Sequence, residues 1–440
     1  MICDWKGRDL PRLVSARFDL PEAQRLAVAR AHGAYATIGE PLFSRSAFEL
    51  IELVVASGLR GRGGAGFPTG LKWRTAPRPG ARPVFLAVNA DESEPGTYKD
   101  RVLMERDPHL LLEGVIIAGY ALGVRTAYIF VRGEMLPQIR ILNQAIAECY
   151  EAGLLGERIG GSAYSLDVVV HRGAGAYICG EETGLLGALE GRLGQPRLKP
   201  PFPTQVGAFK APTVINNVET LACLPYILRE GAAAFRAVGT AKSPGSKLFA
   251  VSGDVRRPDV VEVPLGFPLL DLVDLCGGLD GELLGCIPGG SSMPVLSADE
   301  CRRCTLDFEC LQELKSGLGS GAVIPFSTRH DPVDLLHTLT RFYAHESCGQ
   351  CTPCREGLGY AHRLLGEIAA CRGREGDLAF LKDLADNFET TTICPLATAC
   401  AWPIQSFLKK FPDAFARRLA ASPERSAPRE LGRLWPGGFM

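Results

Sequence analysis

Pro83-Val-Phe-Leu-Ala-Val-Asn89 is an apolar run that ends in an asparagine and gives way to the acidic Ala90-Asp-Glu-Ser-Glu-Pro-Gly-Thr-Tyr-Lys-Asp100. An uninterrupted apolar run bounded by polar turn residues reads as a strand buried on both faces. Beyond it, His109 to Leu122 predicts a helix, Ala127 to Val131 a strand, Pro137 to Ala152 a helix and Leu166 to Val170 a further strand. Strands alternating with helices at this spacing predict an open, mostly parallel α/β sheet running to about residue 240. Before it, Ser44 to Ala56 predicts a helix with Ser44 as its cap. After Ser246 the texture changes. Short strands (Lys247 to Val251, Val260 to Val263, Ala322 to Pro325) around one helix (Leu269 to Cys276) predict a small α+β unit. From Val333 the pattern is helical to about Ala420, with Pro395 and Pro403 as breakers, and the Pro/Arg/Gly-rich stretch from Ser422 to Met440 is expected to be loosely ordered. No internal repeat or low-complexity tract is visible.

Four hundred and forty residues suffice for about three domains. Lysine and arginine number 48 against 49 aspartates and glutamates, so no bulk charge points to nucleic acid or an acidic lipid surface. The first residues contain no apolar signal core, and no 18-residue apolar stretch exists, so neither secretion nor a membrane span is expected. The expected compartment is the cytoplasm. There, 15 cysteines are poorly explained by disulfides, which directs attention to metal or cluster ligation.

Cys348, Cys351 and Cys354 form Cys-x-x-Cys-x-x-Cys, and Cys394 stands directly before Pro395. Three thiols at three-residue steps, with a remote cysteine followed by proline, match the ligand pattern of a 4Fe-4S cluster. Tetrahedral zinc is the alternative, although it normally takes its cysteines in two separated pairs. Arg355 beside the triplet either offsets cluster charge or is a plain solvated cation. Cys301, Cys304 and Cys310 form a looser second group that reads as free thiols or a second metal site. Cys179 and Cys400 read as buried small hydrophobes.

Two glycine loops and one acidic loop carry the remaining chemistry. Gly61-Arg-Gly-Gly-Ala-Gly66 formally matches G-x-G-x-x-G, yet it follows a predicted helix where the dinucleotide fingerprint needs a strand. The wider segment Gly58 to Trp73 offers bare amides, the cations Arg60, Arg62 and Lys72, and the planar faces of Phe67 and Trp73, a set suited to phosphate and an aromatic base. The strand ending at Val170 runs into His171-Arg-Gly-Ala-Gly-Ala-Tyr-Ile-Cys-Gly-Glu-Glu-Thr-Gly, which opens a helix near Glu181. A helix N-terminus attracts anions, although Glu181 and Glu182 at that end either compete with a phosphate or cap the helix. Asn89, Asp91, Glu92 and Glu94 sit at the carboxyl end of a strand, the ligand edge of such sheets. Ile215-Asn-Asn-Val-Glu-Thr-Leu221 predicts the start of a further helix, where Asn217 and Thr220 hold a phosphate or merely cap.

These stretches, with Lys-Pro-Pro-Phe-Pro203 and Glu-Ser-Cys-Gly-Gln-Cys-Thr-Pro-Cys-Arg-Glu-Gly357, resemble the NADH-binding flavin component of bacterial respiratory complex I, the F-subunit family of NADH-quinone oxidoreductase, over roughly residues 50 to 410. The resemblance implies an N-terminal region with the glycine-rich loop (1–68), a Rossmann-like FMN and NADH domain (69–242), a ubiquitin-like, β-grasp α+β domain (243–328), a helical bundle with one 4Fe-4S cluster (329–422) and a tail (423–440). It implies FMN held by Gly61, Gly63, Lys72, Asn89, Asp91, Gly180, Asn216, Asn217 and Thr220, with Gly64 and Gly66 in the same loop. NADH would be held by Phe67, Glu94, Tyr177, Glu181, Glu182, Lys199 and Phe202, of which Glu94, Glu182 and Tyr177 are the catalytic candidates. The cluster would sit on Cys348, Cys351, Cys354 and Cys394. FMN is expected in place of FAD, because the loop at Gly173 to Gly180 offers one anion site and the dinucleotide fingerprint is absent. Implied partners are a thioredoxin-like 2Fe-2S subunit and a large multi-cluster subunit, on the cytoplasmic side of the inner membrane, with no nucleic acid and no membrane span. Two departures stand out: Gly184 where the family more often has alanine, and Thr75 where some relatives place an aromatic near adenine. Cys304 and Cys310 also lie outside the family pattern. NAD-reducing hydrogenases and NAD-dependent formate dehydrogenases carry the same subunit type, often fused to further iron-sulfur domains, and unfused length favours complex I. A non-catalytic, metal-stabilised scaffold is the remaining reading.

Overall fold

A computed structural model describes residues 4–5, 8–423 and 426. Most of the tail expected over 422–440 lies outside the described residues. The apolar run forms β1 (Phe85–Ala90), followed by β2 (Thr126–Val131), β3 (Asp167–Arg172) and β4 (Thr213–Asn217). They lie in the order β3-β2-β1-β4, every pair parallel. The chain therefore winds outward from β1 to β3 and then returns to the other side of β1. That reversal opens a crevice at the carboxyl ends of β1 and β4, where open α/β sheets receive ligands.

Alternation along β1 explains why it is apolar throughout. Leu86, Val88 and Ala90 enter one core, while Ala87 joins Phe130 and Ile215 in a second core that continues into the C-terminal helices. A helix over Ala47–Ser57 (α1) precedes the sheet. Lys99–Arg106 (α2), Pro108–Leu122 (α3) and Leu136–Glu151 (α4) follow β1 and β2, and Glu182–Leu189 (α5) follows β3. The cap of α1 is Ser46, not Ser44: Ser46 Oγ accepts the Glu49 N–H while Glu49 returns a bond to the Ser46 N–H, and only this spacing closes the reciprocal pair.

The second unit is a five-stranded mixed sheet of β5 (Ser246–Val251), β6 (Asp259–Pro264), β7 (Leu283–Ile287), β8 (Leu296–Ser297) and β9 (Ala322–Ser327), ordered β8-β7-β9-β5-β6. Only the central β9–β5 pair is parallel. Where one helix was expected there are three: α6 (Leu269–Leu275), α7 (Ala298–Arg303) and α8 (Phe308–Glu313). The last two are single-turn pieces too short to show a 3.6-residue period, and caps from Ser297 and Asp307 start them. The buried Glu262 carboxylate accepts the N–H groups of Leu13, Val14 and Ser15, which ties the N-terminal segment to this sheet.

Five helices follow, α9 (Pro332–Glu346), α10 (Thr352–Ala369), α11 (Asp377–Thr391), α12 (Leu396–Lys410) and α13 (Pro412–Ala420). Pro395 stands at the N-cap of α12 as a breaker, but Pro403 lies inside that helix. Its ring is buried among the packed helices and tertiary contacts override its poor helix propensity.

Candidate functional site

The crevice widens into a cleft of about 1220 Å³. Gly63, Gly64, Asn89, Asp91, Glu94, Tyr177, Gly180, Glu181 and Asn217, all expected from sequence, line it. Gly61, Gly66, Lys72, Asn216 and Thr220 stand behind that lining and hold it. Gly61 N–H donates to Phe67 O, Arg60 Nε to Gly66 O, Lys72 Nζ to Ile215 O at 3.2 Å and Trp73 Nε1 to Asn216 Oδ1 at 2.9 Å. Thr220 Oγ1 accepts the Arg62 N–H at 2.8 Å. Phe67 and Phe202 are 52% exposed, and neither they nor Glu182 and Lys199 line the cleft. Lys199 pairs with Glu181 at 3.2 Å and Glu182 at 2.9 Å.

The three cations expected to face a phosphate all have partners within the protein, Lys72 at Ile215 O and the two arginines as follows, and of the three Arg60 alone lines the cleft. Arg62 turns inward, fully buried, and donates to Pro244 O. Arg60 stacks 3.6 Å over the Phe308 ring and pairs with Glu309 at 2.9 Å. Capping also decides the helix after the second glycine loop: Glu181 Oε2 accepts the Thr183 and Gly184 N–H groups, so the N-terminus of α5 already holds an anion of its own. The free amides are instead in the first glycine loop.

The acidic loop divides its labour. Asn89 Nδ2 donates to Gly180 O at 2.8 Å, binding the end of β1 to the second glycine loop. Glu92 accepts the N–H groups of Asp100 and Arg101 and so caps α2. Glu94 accepts bonds from the Tyr177 hydroxyl at 2.7 Å, the Ser292 N–H at 2.7 Å and the Ser291 hydroxyl at 3.2 Å, joining the parallel sheet, the second glycine loop and the mixed sheet. Lys99 and Asp100 also line the cleft and were not singled out from sequence, although they end the quoted acidic loop. Lys99 pairs with Asp100 at 2.7 Å and with Glu219 at 2.8 Å, and Asp100 accepts from Asn217 Nδ2 at 2.6 Å.

Asp91 tests whether these residues suit a flavin. Its Oδ1 is buried without a protein partner, and Oδ2 takes only the Ser93 hydroxyl at 3.0 Å. A lone buried acceptor in a cleft calls for a donor from a ligand, and the N–H and hydroxyl groups of FMN are such donors. With Gly63, Gly64 and Gly180 keeping the walls free of side chains, the residues fit the group. Burial raises the Asp91 carboxyl from the ordinary 3.8 to about 7, against the Ser93 hydroxyl and Arg132, which favour its charge. A raised folded-state value stabilises below the unfolded value, and that contribution is lost as pH rises through about 7. The melting temperature of the flavin-free chain is therefore expected to fall between pH 5 and pH 8, and Asp91→Asn to flatten part of that fall. An unchanged slope in the variant would assign the loss to other groups.

The cysteines lie beyond the second glycine loop. Cys351 caps the start of α10, Cys354 is buried in its first turn, and Cys394 precedes α12. Ile393 N–H donates to Cys351 Sγ at 3.4 Å, which brings the remote segment onto the triplet. Burial, then the neighbouring thiols Cys354 and Cys348 and the Glu181 carboxylate, push Cys394 up to about 12 despite a backbone bond that opposes the shift. Burial also raises the Cys354 thiol, and a bound cationic metal would favour the thiolate at both positions. Among the described residues no three His, Cys, Asp or Glu side chains meet at single-ion spacing. Arg355 donates to Gly349 O at 2.7 Å and pairs with Glu356. In the second cysteine group, Cys304 Sγ donates to Thr305 O and Cys310 Sγ accepts the Thr305 N–H, with Cys301 and Cys304 buried.

A parallel-sheet crevice joined to a four-cysteine helical unit defines a flavin and iron-sulfur electron-transfer protein. Family models agree: residues 54–226 match the Nuo51 FMN-binding domain, 248–296 an SLBB domain, and 334–418 the NADH-ubiquinone oxidoreductase-F iron-sulfur binding region. The chain is 48% identical to NADH dehydrogenase [ubiquinone] flavoprotein 1 of Dictyostelium discoideum over 82% of its own length and 77% of that protein. It is 46% identical to the second of two NADH-quinone oxidoreductase F subunits of Rhizobium meliloti, over 93% and 97% of the two chains. An NAD+-reducing [NiFe]-hydrogenase chain matches at a TM-score of 0.79 and 34% identity, covering 92% of this chain and 66% of the hydrogenase chain. The chain belongs to the F-subunit family of NADH-quinone oxidoreductase, with its FMN-binding and 4Fe-4S-binding regions. Among the described residues no helix is long and apolar enough to cross a membrane.

Proposed function

We propose that this chain is the NADH-oxidising flavin subunit of a respiratory complex I, taking electrons from NADH and passing them toward quinone. The observation that carries this reading is continuity: Pro395 and Leu396, next to the ligand Cys394, line the same cleft as Asn89, Asp91 and Gly180. A two-electron donor and a one-electron acceptor thus share one cavity wall. When bound, FMN supplies the conversion between hydride and single-electron chemistry. The protein's part is positioning, since hydride transfer needs no acid or base. Phe67 and Phe202 offer stacking faces, Lys199 with Glu181 and Glu182 sets the charge at the rim, and Tyr177 and Glu94 orient the nicotinamide end. Cys348, Cys351, Cys354 and Cys394 hold the cluster.

The mixed sheet is read as a β-grasp, ubiquitin-like unit; a β5–β6 hairpin whose first strand pairs in parallel with the last strand, β9, supports this. The domain limits set out from sequence are retained. The partners are read as a thioredoxin-like 2Fe-2S subunit and a large multi-cluster subunit, with the assembly peripheral on the cytoplasmic side. Identity of 46% to the Rhizobium meliloti relative against 34% for the hydrogenase chain favours complex I over a hydrogenase diaphorase. Acid release of the flavin followed by chromatography tests the cofactor, and FAD would refute it.

Glu94→Gln keeps shape and loses charge. If the carboxylate holds the nicotinamide amide, its loss costs on the order of 1.5 to 3 kcal/mol. NADH oxidation at low substrate should then slow about tenfold to hundredfold. Phe67→Ala should weaken NADH binding in the same assay. Wild-type rate and affinity in both variants would place the nucleotide on another wall.

A further inference from the structure

We propose that Lys247, on β5 of the mixed sheet, is a positioning residue for the flavin: its ammonium fixes the Arg62 peptide so that the Gly63 N–H is turned into the cleft. This rests on the reading of the cleft as an FMN site. Lys247 belongs to none of the stretches that carry the family resemblance, and its side chain is 1% exposed. Lys247 Nζ donates to Arg62 O at 3.0 Å and pairs with Glu219 Oε2 at 3.0 Å. On the other side of the same residue, the Arg62 N–H donates to Thr220 Oγ1. In a trans peptide the C=O and the following N–H point in opposite directions. Drawing the Arg62 carbonyl down to a buried ammonium therefore turns the Gly63 N–H the other way, and Gly63 lines the cleft.

Among the described residues the amides of Gly63, Gly64 and Ala65 have no protein acceptor, so successive N–H groups are left for an acceptor oxygen of a ligand. The opposite wall hangs on the same charges. Glu219 also holds Lys99, Lys99 holds Asp100, and Asp100 holds the Asn217 carboxamide. A Cβ at Gly63 would stand 2.9 Å from Asn217 Cβ, so the two walls meet here. Space for the lysine is also built in, since a Cβ on Gly321, at φ +87°, would overlap Lys247 Cε.

The test titrates the full, flavin-stripped chain with FMN and with riboflavin by flavin fluorescence, and compares Lys247→Met, Lys247→Arg and the charge-neutral double variant Lys247→Met/Glu219→Gln. Losing a charge-assisted tether should raise the FMN Kd about tenfold or more. Lys247→Arg, which keeps a cationic donor, should recover most of it, and the NADH KM of flavin-saturated Lys247→Met should match wild type. A larger loss for FMN than for riboflavin assigns the amides to the phosphate, and an equal loss to the ring system. If the single variant fails to fold, the double variant decides. Wild-type FMN affinity in the methionine variants, or an equal loss in the arginine variant, overturns the role of Lys247 and leaves the flavin reading standing. Failure of the wild-type chain to take up FMN at all overturns the flavin reading and this inference with it.

Discussion

Replacing Cys394 by alanine is expected to remove the 4Fe-4S cluster while leaving the flavin reducible by NADH. The residue stands on a different segment from the triplet and is brought to it by the turn before α12, where Ile393 N–H reaches Cys351 Sγ. Without it the triplet can hold at most three corners of a four-iron cube, and the exposed iron is lost or exchanged. Iron, expected at about four per native chain, should fall to three or fewer, with acid-labile sulfide staying at about four if three irons remain and falling only if the whole cluster is lost, and the paramagnetic signal of the reduced four-iron cluster should vanish. Bleaching of the flavin by NADH in stopped flow should survive, because Gly63, Gly64, Asn89, Asp91 and Gly180 of the cleft wall are carried by the parallel sheet and the glycine loops, apart from the cysteine segments. Transfer to an acceptor subunit should stop. Full iron content in Cys394→Ala, or stoichiometric zinc in the native protein, would contradict the ligand set.

Glu219→Ala should be the most damaging single change outside the cluster. This carboxylate is completely buried and stands between Lys99 at 2.8 Å and Lys247 at 3.0 Å, with a further bond from Leu248 N–H at 2.8 Å. Burial opposes its charge, but Lys247, Lys99 and Arg62 outweigh that and hold it below the ordinary carboxylate range. A lowered folded-state value means a stabilising contribution that is present above the unfolded value and lost as pH falls through the folded one. Removing the anion leaves the buried Lys247 ammonium with the Arg62 carbonyl in place of a carboxylate, while Lys99 keeps Asp100, and breaking a buried pair in this way costs about 3–5 kcal/mol. Glu219→Gln keeps the acceptor for Leu248 and should cost less. A urea titration followed by tryptophan fluorescence reads the difference. An unfolding free energy for Glu219→Ala within about 0.5 kcal/mol of native, the range of ordinary surface changes, would show that the network contributes little.

Much of this protein was legible before its tertiary structure. Periodicity placed β1 to β3 and the long helices within a few residues, because strands buried on both faces and helices with apolar stripes write their period into the chain. It missed β4, where the helix expected from Ile215 begins only at Val218 with Asn217 as its cap, and α7 and α8, which are too short to repeat, and it misread Pro403, whose surroundings tolerate what its own ring disfavours. The Cys348, Cys351, Cys354 triplet was explicit, since its spacing is a local property, whereas the fold brings the Cys394 segment to it through the Ile393 N–H. Residue types in the glycine and acidic loops announced a cleft for a phosphate-bearing cofactor, but not their orientation. Arg62 is the clearest case: a cation in a glycine loop reads as a phosphate ligand, and the fold turns it away into the core, where it meets Pro244 O.

What the sequence by itself determined is the alternation of elements, the cysteine triplet and the residue types of the cleft loops, because each depends on residues near one another along the chain. Only the tertiary structure decided which groups face the cleft. Sheet order put β4 beside β1 and so set Asn217 against Gly63. Packing of the mixed sheet brought Lys247 under the glycine loop and Ser291 and Ser292 onto Glu94, contacts that span 185, 197 and 198 residues of chain. No local pattern records a pairing at that distance, since it arises only when separately formed units bury their charges against one another.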